Sequence, residues 1–411
     1  MNRTCDPQRT LHAGFRPSTL IATATMLALT AGGAAAQHTD KEATKDMGKL
    51  LTLELQEAPD FAKVPPPDAR RMYVYDPAAF TSLTRIIPID GNTGAYLGTL
   101  DTGLLSLPMP SPKDGTLYVA DTRFSLYGNG KRDDYIGIYD PVGLAPPTKL
   151  IDIPDTRSGA MSHIGGSSIS ADGKYLYSYQ YSPSNAVVVV DLESQKTLST
   201  IEVPQCWYVY PAGERRFASH CRDGSFVLVK FDEQGKEVSR SQTKPVHDPV
   251  KEPSFNSPAY DYKTQEIVLV SFWGHVVHID FSQEEPKIGE SWSMLTDEQR
   301  KEHWAPGGWQ PAAYHSASKR LFVLMDRRDK WAHTTESREV WVYDMESKKR
   351  IQTIALVHEA TCLAVDKADK PYIYALSSHG KTLDIYDVES GKHMFNQGQL
   401  GHEPRLLVRN P

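Results

Sequence analysis

The sequence predicts an all-β protein, a seven-bladed β-propeller, on three observations. A strand-like run ending in Asp and a polar turn recurs seven times, the copies are evenly spaced, and the chain ends in a strand that nothing after it completes.

The copies read IIPIDGNTG, IGIYDPVGL, VVVVDLESQK, VLVKFDEQGK, VVHIDFSQEE, VWVYDMESKK and LDIYDVESGK. Their aspartates are Asp90, Asp140, Asp191, Asp232, Asp280, Asp344 and Asp387, with steps of 50, 51, 41, 48, 64 and 43 residues. The 342 residues from Arg70 to Pro411 are close to seven such units, so the repeat consumes nearly the whole chain. Within one unit the order is constant, as in SISADG, KYLYSYQ, AVVVVD, KTLSTIEVP. Four short strands separated by turn residues describe one blade.

The residue types fit that role. A strand packed on both sides by neighbouring blades favours Val, Ile, Tyr and Trp. The Asp that follows, with Ser or Gly in the next few positions, binds nearby backbone N–H groups and makes the turn to the outermost strand. We therefore expect seven turn aspartates and not seven metal ligands. The termini complete the count: GHEPRLLVRN has the pattern of an innermost strand, and the first unit lacks one. Pairing the C-terminal strand with the N-terminal blade closes the ring and removes two exposed edges.

Arg3, Arg9 and Arg16 precede an apolar run from Leu20 to Ala31 and then GGAAAQ, the layout of a cleaved signal peptide over residues 1–36. Residues 37–67 form an N-terminal arm, with a helix expected over Lys41–Gln56, and the propeller spans 68–411. The long step before Asp344 holds an insertion, SMLTDEQRKEHWAPGGWQP, in which a helical turn capped by Thr296 is expected. No segment approaches the roughly 20 apolar residues of a membrane span.

Residues 1–36 carry three arginines and one aspartate. The 45 basic and 51 acidic groups of the whole chain thus become 42 and 50, a net charge of −8. Nucleic acid, which demands a basic surface, is not the expected partner. Of the cysteines beyond the leader, Cys206 and Cys221 flank the turn AGER symmetrically, so they face each other across a hairpin. In an exported protein a disulfide is expected there. Cys362 has no evident partner.

Motifs for chemistry are sparse. HGKT, from His379 to Thr382, lacks the Gly of a phosphate loop and reads as a hairpin turn. His275 and His278 lie three apart on a strand and point to opposite faces. Trp304, Trp309 and Tyr314, with Gly307 and Gly308, either line a pocket or fill the gap between blades. No catalytic residue and no metal site is expected in this chain.

PDARRMYVYDPAAF, YDPVGLAPPTKLIDIPD, HCRDGS, PGGWQPAAYH, LMDRRDKWAHTTESREVWV and YALSSHGKTLDIYDVESGK together resemble the heavy subunit of tryptophan tryptophylquinone amine dehydrogenases. The likeness runs from about residue 66 to the C-terminus and is closer to aromatic amine dehydrogenase than to methylamine dehydrogenase. It implies a periplasmic noncatalytic subunit that docks a light subunit in an α2β2 heterotetramer. The light subunit holds the tryptophan tryptophylquinone. The complex would convert a primary, aromatic amine to aldehyde and ammonia and pass electrons to an azurin-like blue copper protein. Within DTRFSLYGNGKRDDYIGIYDP the resemblance assigns Phe124 to the wall of the substrate channel; packing within the blade is the other reading. A different class stays open from the residues alone: a stand-alone propeller hydrolase of the metal-dependent lactonase type.

Overall fold

The computed structural model describes residues 63–77, 83–126, 129–157 and 163–411. The leader, most of the arm and the helix expected over Lys41–Gln56 lie outside the described residues. Everything described belongs to one compact unit, Phe61–Pro411.

That unit is a seven-bladed β-propeller. Four sheets have four strands; three have five, because one strand of the blade is broken into two segments. Blade 1 is built from both ends of the chain. Arg71–Asp76 pairs with the C-terminal strand Leu406–Arg409, placing Tyr73 opposite Val408, and on its other side with Thr84–Asp90. Blades 2 to 7 follow in chain order, ending with Cys362–Val365 to His393–Gln397. The ring thus closes as the unpaired C-terminal strand requires.

Seven hydrophobic clusters fill the seven gaps between blades. The strand Ser337–Asp344 shows why its sequence is apolar at every step and not alternating. Val340 and Val342 enter the cluster between blades 6 and 7, while Trp341 and Tyr343 enter the cluster between blades 5 and 6. Both faces of a blade are covered, so both sets of side chains leave water, at about 1.5–3 kcal/mol for each large one.

The constant strand order gives the disc two unlike faces. On one, the turn face, each repeat aspartate closes the turn to the outermost strand. Asp90, Asp140, Asp191, Asp232 and Asp280 accept from the backbone N–H two residues on, and Asp344 and Asp387 from the N–H three residues on, all at 2.7–3.0 Å. On the other, the hairpin face, lie the hairpins between second and third strands and the connections from one blade to the next. The insertion lies there too. Its helix, Asp297–Lys301, is a single turn closed by a capping box in which Thr296 accepts from Gln299 N and the Gln299 side chain accepts from Thr296 N.

Candidate functional site

Blade 2 departs from the repeat on the hairpin face. Its second and third strands, Leu117–Leu126 and Asn129–Tyr139, run ten and eleven residues, against six each for Tyr175–Gln180 and Ala186–Asp191 in blade 3. At 3.3 Å per residue the extra four or so project the hairpin roughly 13 Å beyond its neighbour. Phe124 sits on this projection opposite Arg132, half-buried, and Leu126 at its end is 66% exposed.

Buried polar groups lock the base of the hairpin. Asp121 accepts from the Ser106 hydroxyl at 2.5 Å and the Tyr135 hydroxyl at 2.7 Å. Asp134 accepts from the Thr122 hydroxyl at 2.7 Å, from both Nε and Nη2 of Arg132, and from Arg157 N. Arg157 spans the two blade ends. Its guanidinium donates to the carbonyls of Leu104 and Leu105 and to the Thr122 hydroxyl. Burial lowers the Arg157 pKa, while Asp121 and Asp134 act in the opposite direction. Burial, then Asp121, raises the Tyr135 hydroxyl far above its usual range, so it stays a donor. A hairpin anchored this way presents its ring at a fixed place and angle.

The hairpin face also holds the disulfide. Cys206 and Cys221 are bonded, directly opposite each other in the register of blade 4, with Cα atoms 3.8 Å apart. Beside them His220 Nε2 lies 3.0 Å from His247 Nε2, and burial pushes the His220 pKa down to about 4.

The other sequence candidates separate. Trp304 and Trp341 pack tilted by 42° with centroids 4.9 Å apart, Trp309 packs between blades 7 and 1 under Arg405, and Tyr314 is buried between blades 5 and 6. His275 lies 2.9 Å from Glu252 and His278 lies 3.1 Å from Glu266, on opposite faces of their strand. HGKT is a turn. Cys362 is buried, donates to Arg405 O at 2.8 Å, and has a thiol pushed up to about 12 by burial, which makes it unreactive.

One cluster was not legible in the sequence. On the turn face, at the end of the central channel, Asp261 of blade 5 accepts from Ser316 of blade 6 and Lys367 of blade 7. Arg409, at the end of the closing strand, donates to the carbonyls of Tyr260, Tyr314 and Val365, one from each of those blades. Burial opposes the Asp261 charge, but Arg409 and Lys367 outweigh it and hold the carboxyl well below its ordinary range. Burial and Arg409 bring Lys367 down to about 8. Every member is spent on a neighbour, so this is a clamp across three blades. No three His, Cys, Asp or Glu side chains converge as metal ligands among the described residues.

The family model for the methylamine dehydrogenase heavy chain matches residues 68–410. The chain is 37% identical to a "Methylamine dehydrogenase heavy chain" of Methylorubrum extorquens over 399 residues, covering 96% of each. It is 36% identical to one of Paracoccus versutus, covering 85% of this chain and 82% of that one. Among solved structures, a functionally unknown protein from Desulfotomaculum acetoxidans aligns with TM-score 0.55 at 12% identity, over 83% of this chain and 98% of that chain. A putative 6-phosphogluconolactonase from Bacteroides fragilis aligns with TM-score 0.55 at 10% identity, over 84% and 99%. At such identities these two show a shared propeller and nothing further.

Proposed function

The chain belongs to the methylamine dehydrogenase heavy-chain family, and from that premise we propose that it is the noncatalytic wall of a periplasmic quinoprotein amine dehydrogenase. A light subunit docks on the hairpin face in an α2β2 complex and contributes a tryptophan tryptophylquinone. When bound, that quinone would supply a two-electron, two-proton acceptor, so that a primary amine and water become aldehyde and ammonia. The electrons then pass to a blue copper protein.

The observation that supports this reading is the projecting hairpin of blade 2, with Phe124 on it and a buried base of Asp121, Asp134 and Arg157. An apolar ring held rigidly beside a reacting amine excludes water and selects by shape. Arg157 does no chemistry; it holds the ring in place.

The motifs of this sequence favour an aromatic amine, and the names of the relatives favour methylamine. Phe124→Ala in the assembled complex decides the role of the ring. We expect kcat/KM for a bulky aromatic amine to rise relative to methylamine by about tenfold or more, the scale of one pocket contact. An unchanged ratio removes Phe124 from the channel.

A further inference from the structure

We propose that the cleft between blades 5 and 6 on the hairpin face is an anchor pocket for the light subunit, filled by an apolar or aromatic side chain with a carboxylate beside it. This rests on the docking reading above and names where the docking energy concentrates.

The cleft has a volume of about 390 Å³. Its walls are indoles: Trp273 and Trp331 meet edge to face with centroids 5.1 Å apart, and Trp304 lines the side below. Trp331 is 58% exposed and has φ +74°, a left-handed backbone that bulky residues rarely adopt. Backbone strain of this kind persists where the surrounding structure enforces it, and here it lifts an indole into solvent.

The charge is equally specific. Lys330, Arg300 and Arg328 line the cleft against Glu252 and Asp329, a local positive excess on a chain of net charge −6. Arg328 is spent on the carbonyls of Ala305, Ala332 and Thr335, and Arg300 on Trp273 O and Ser293. Lys330 is different: its ammonium lies 5.5 and 5.7 Å from the ring centres of Trp273 and Trp331 and is exposed. The site therefore asks for an apolar group packed against the indoles and an anion for Lys330. Exposed Trp framed by cations is the composition of an interface hot spot.

The surroundings favour a protein over a small molecule. Among the described residues, the exposed large apolar side chains that are not on the outermost strands are Leu83, Leu126, Tyr181, Val250 and Trp331, and all five lie on the hairpin face. The cleft is thus continuous with the face that carries Phe124.

The test uses the separated heavy and light subunits and their reassembly, with the Kd of docking and the melting temperature of the heavy chain alone as readouts. Trp331→Gly removes the indole and suits the positive φ, so the heavy chain should melt at or above the wild-type temperature while docking weakens 10- to 100-fold. Lys330→Glu should weaken docking at least tenfold with unchanged melting. Kd values within twofold of wild type for both variants would overturn the proposal, as would a lowered melting temperature accounting for weaker docking. Saturation of the cleft by an aromatic carboxylate such as phenylacetate, with docking undisturbed, would also overturn it. If the wild-type chain binds no light subunit, the docking reading itself fails.

Discussion

The two faces of the disc are built from the same blades and behave as opposites. On the turn face seven aspartates repeat one hydrogen-bonded device, and outside the outermost strands no exposed large apolar side chain lies there among the described residues. On the hairpin face nothing repeats: blade 2 lengthens its hairpin, blade 4 carries a disulfide, and a helical insertion precedes blade 6. The regular face encodes the ring, and the departures from regularity lie on the face where we propose the light subunit docks.

The sharpest way to break that contrast is to attack closure from the turn face. Arg409→Ala leaves the buried Asp261–Lys367 pair without the cation that joins three blades. Removing one partner from a buried charge network costs about 3–5 kcal/mol, so chemical denaturation should show a loss of that size. A loss below about 1 kcal/mol would show that the strand's apolar residues close the ring without the clamp.

On the hairpin face, replacing Cys206 and Cys221 together by Ser should cost about 3 kcal/mol, the loop-closure value for a separation of 15 residues. An unchanged melting point would mean the bond does not constrain the unfolded chain.

Acid acts on the buried histidines first, on both faces. Burial lowers His163 and His220, both in hairpin-face segments, and His315, at a turn-face strand end, to about 4. The unfolded chain takes up those protons near 6.5 and the folded chain only near 4. Stability should therefore fall as pH drops from about 6.5 to 4, by up to about 1.4 kcal/mol per pH unit for each histidine. The turn aspartates respond later. Asp387, held down by the Ser390 hydroxyl and N–H, keeps its charge below the ordinary Asp range, so its contribution is lost only as pH falls further. A stability flat from pH 6.5 to 4 would contradict the histidine assignment. The smallest effect is a single turn: Asp191→Ala removes the acceptor for Glu193 N and Ser194 and should cost under about 1 kcal/mol, because six copies remain.

What was legible in the sequence follows the same division. Blade number, closure by LLVR, the seven turns and the pairing of Cys206 with Cys221 are local or periodic, so spacing alone reaches them. The Arg157 guanidinium joins residues 35 to 53 apart with no period, and the Arg409 clamp joins residues 44 to 149 apart. Neither leaves a trace in neighbouring letters. The reverse also holds: Trp304, Trp309 and Tyr314 are close in sequence but part in space, because the innermost strand of blade 6 is broken between Pro306 and Ala312. Gly307 in that break lies against the Arg328 guanidinium and has no room for a side chain.

The direct measurement is amine-dependent reduction of an artificial electron acceptor by the purified chain, alone and after mixing with a small, cysteine-rich quinone subunit. We expect no turnover from the chain alone and full turnover from the pair; turnover by the chain alone would mean that the propeller carries its own reactive centre.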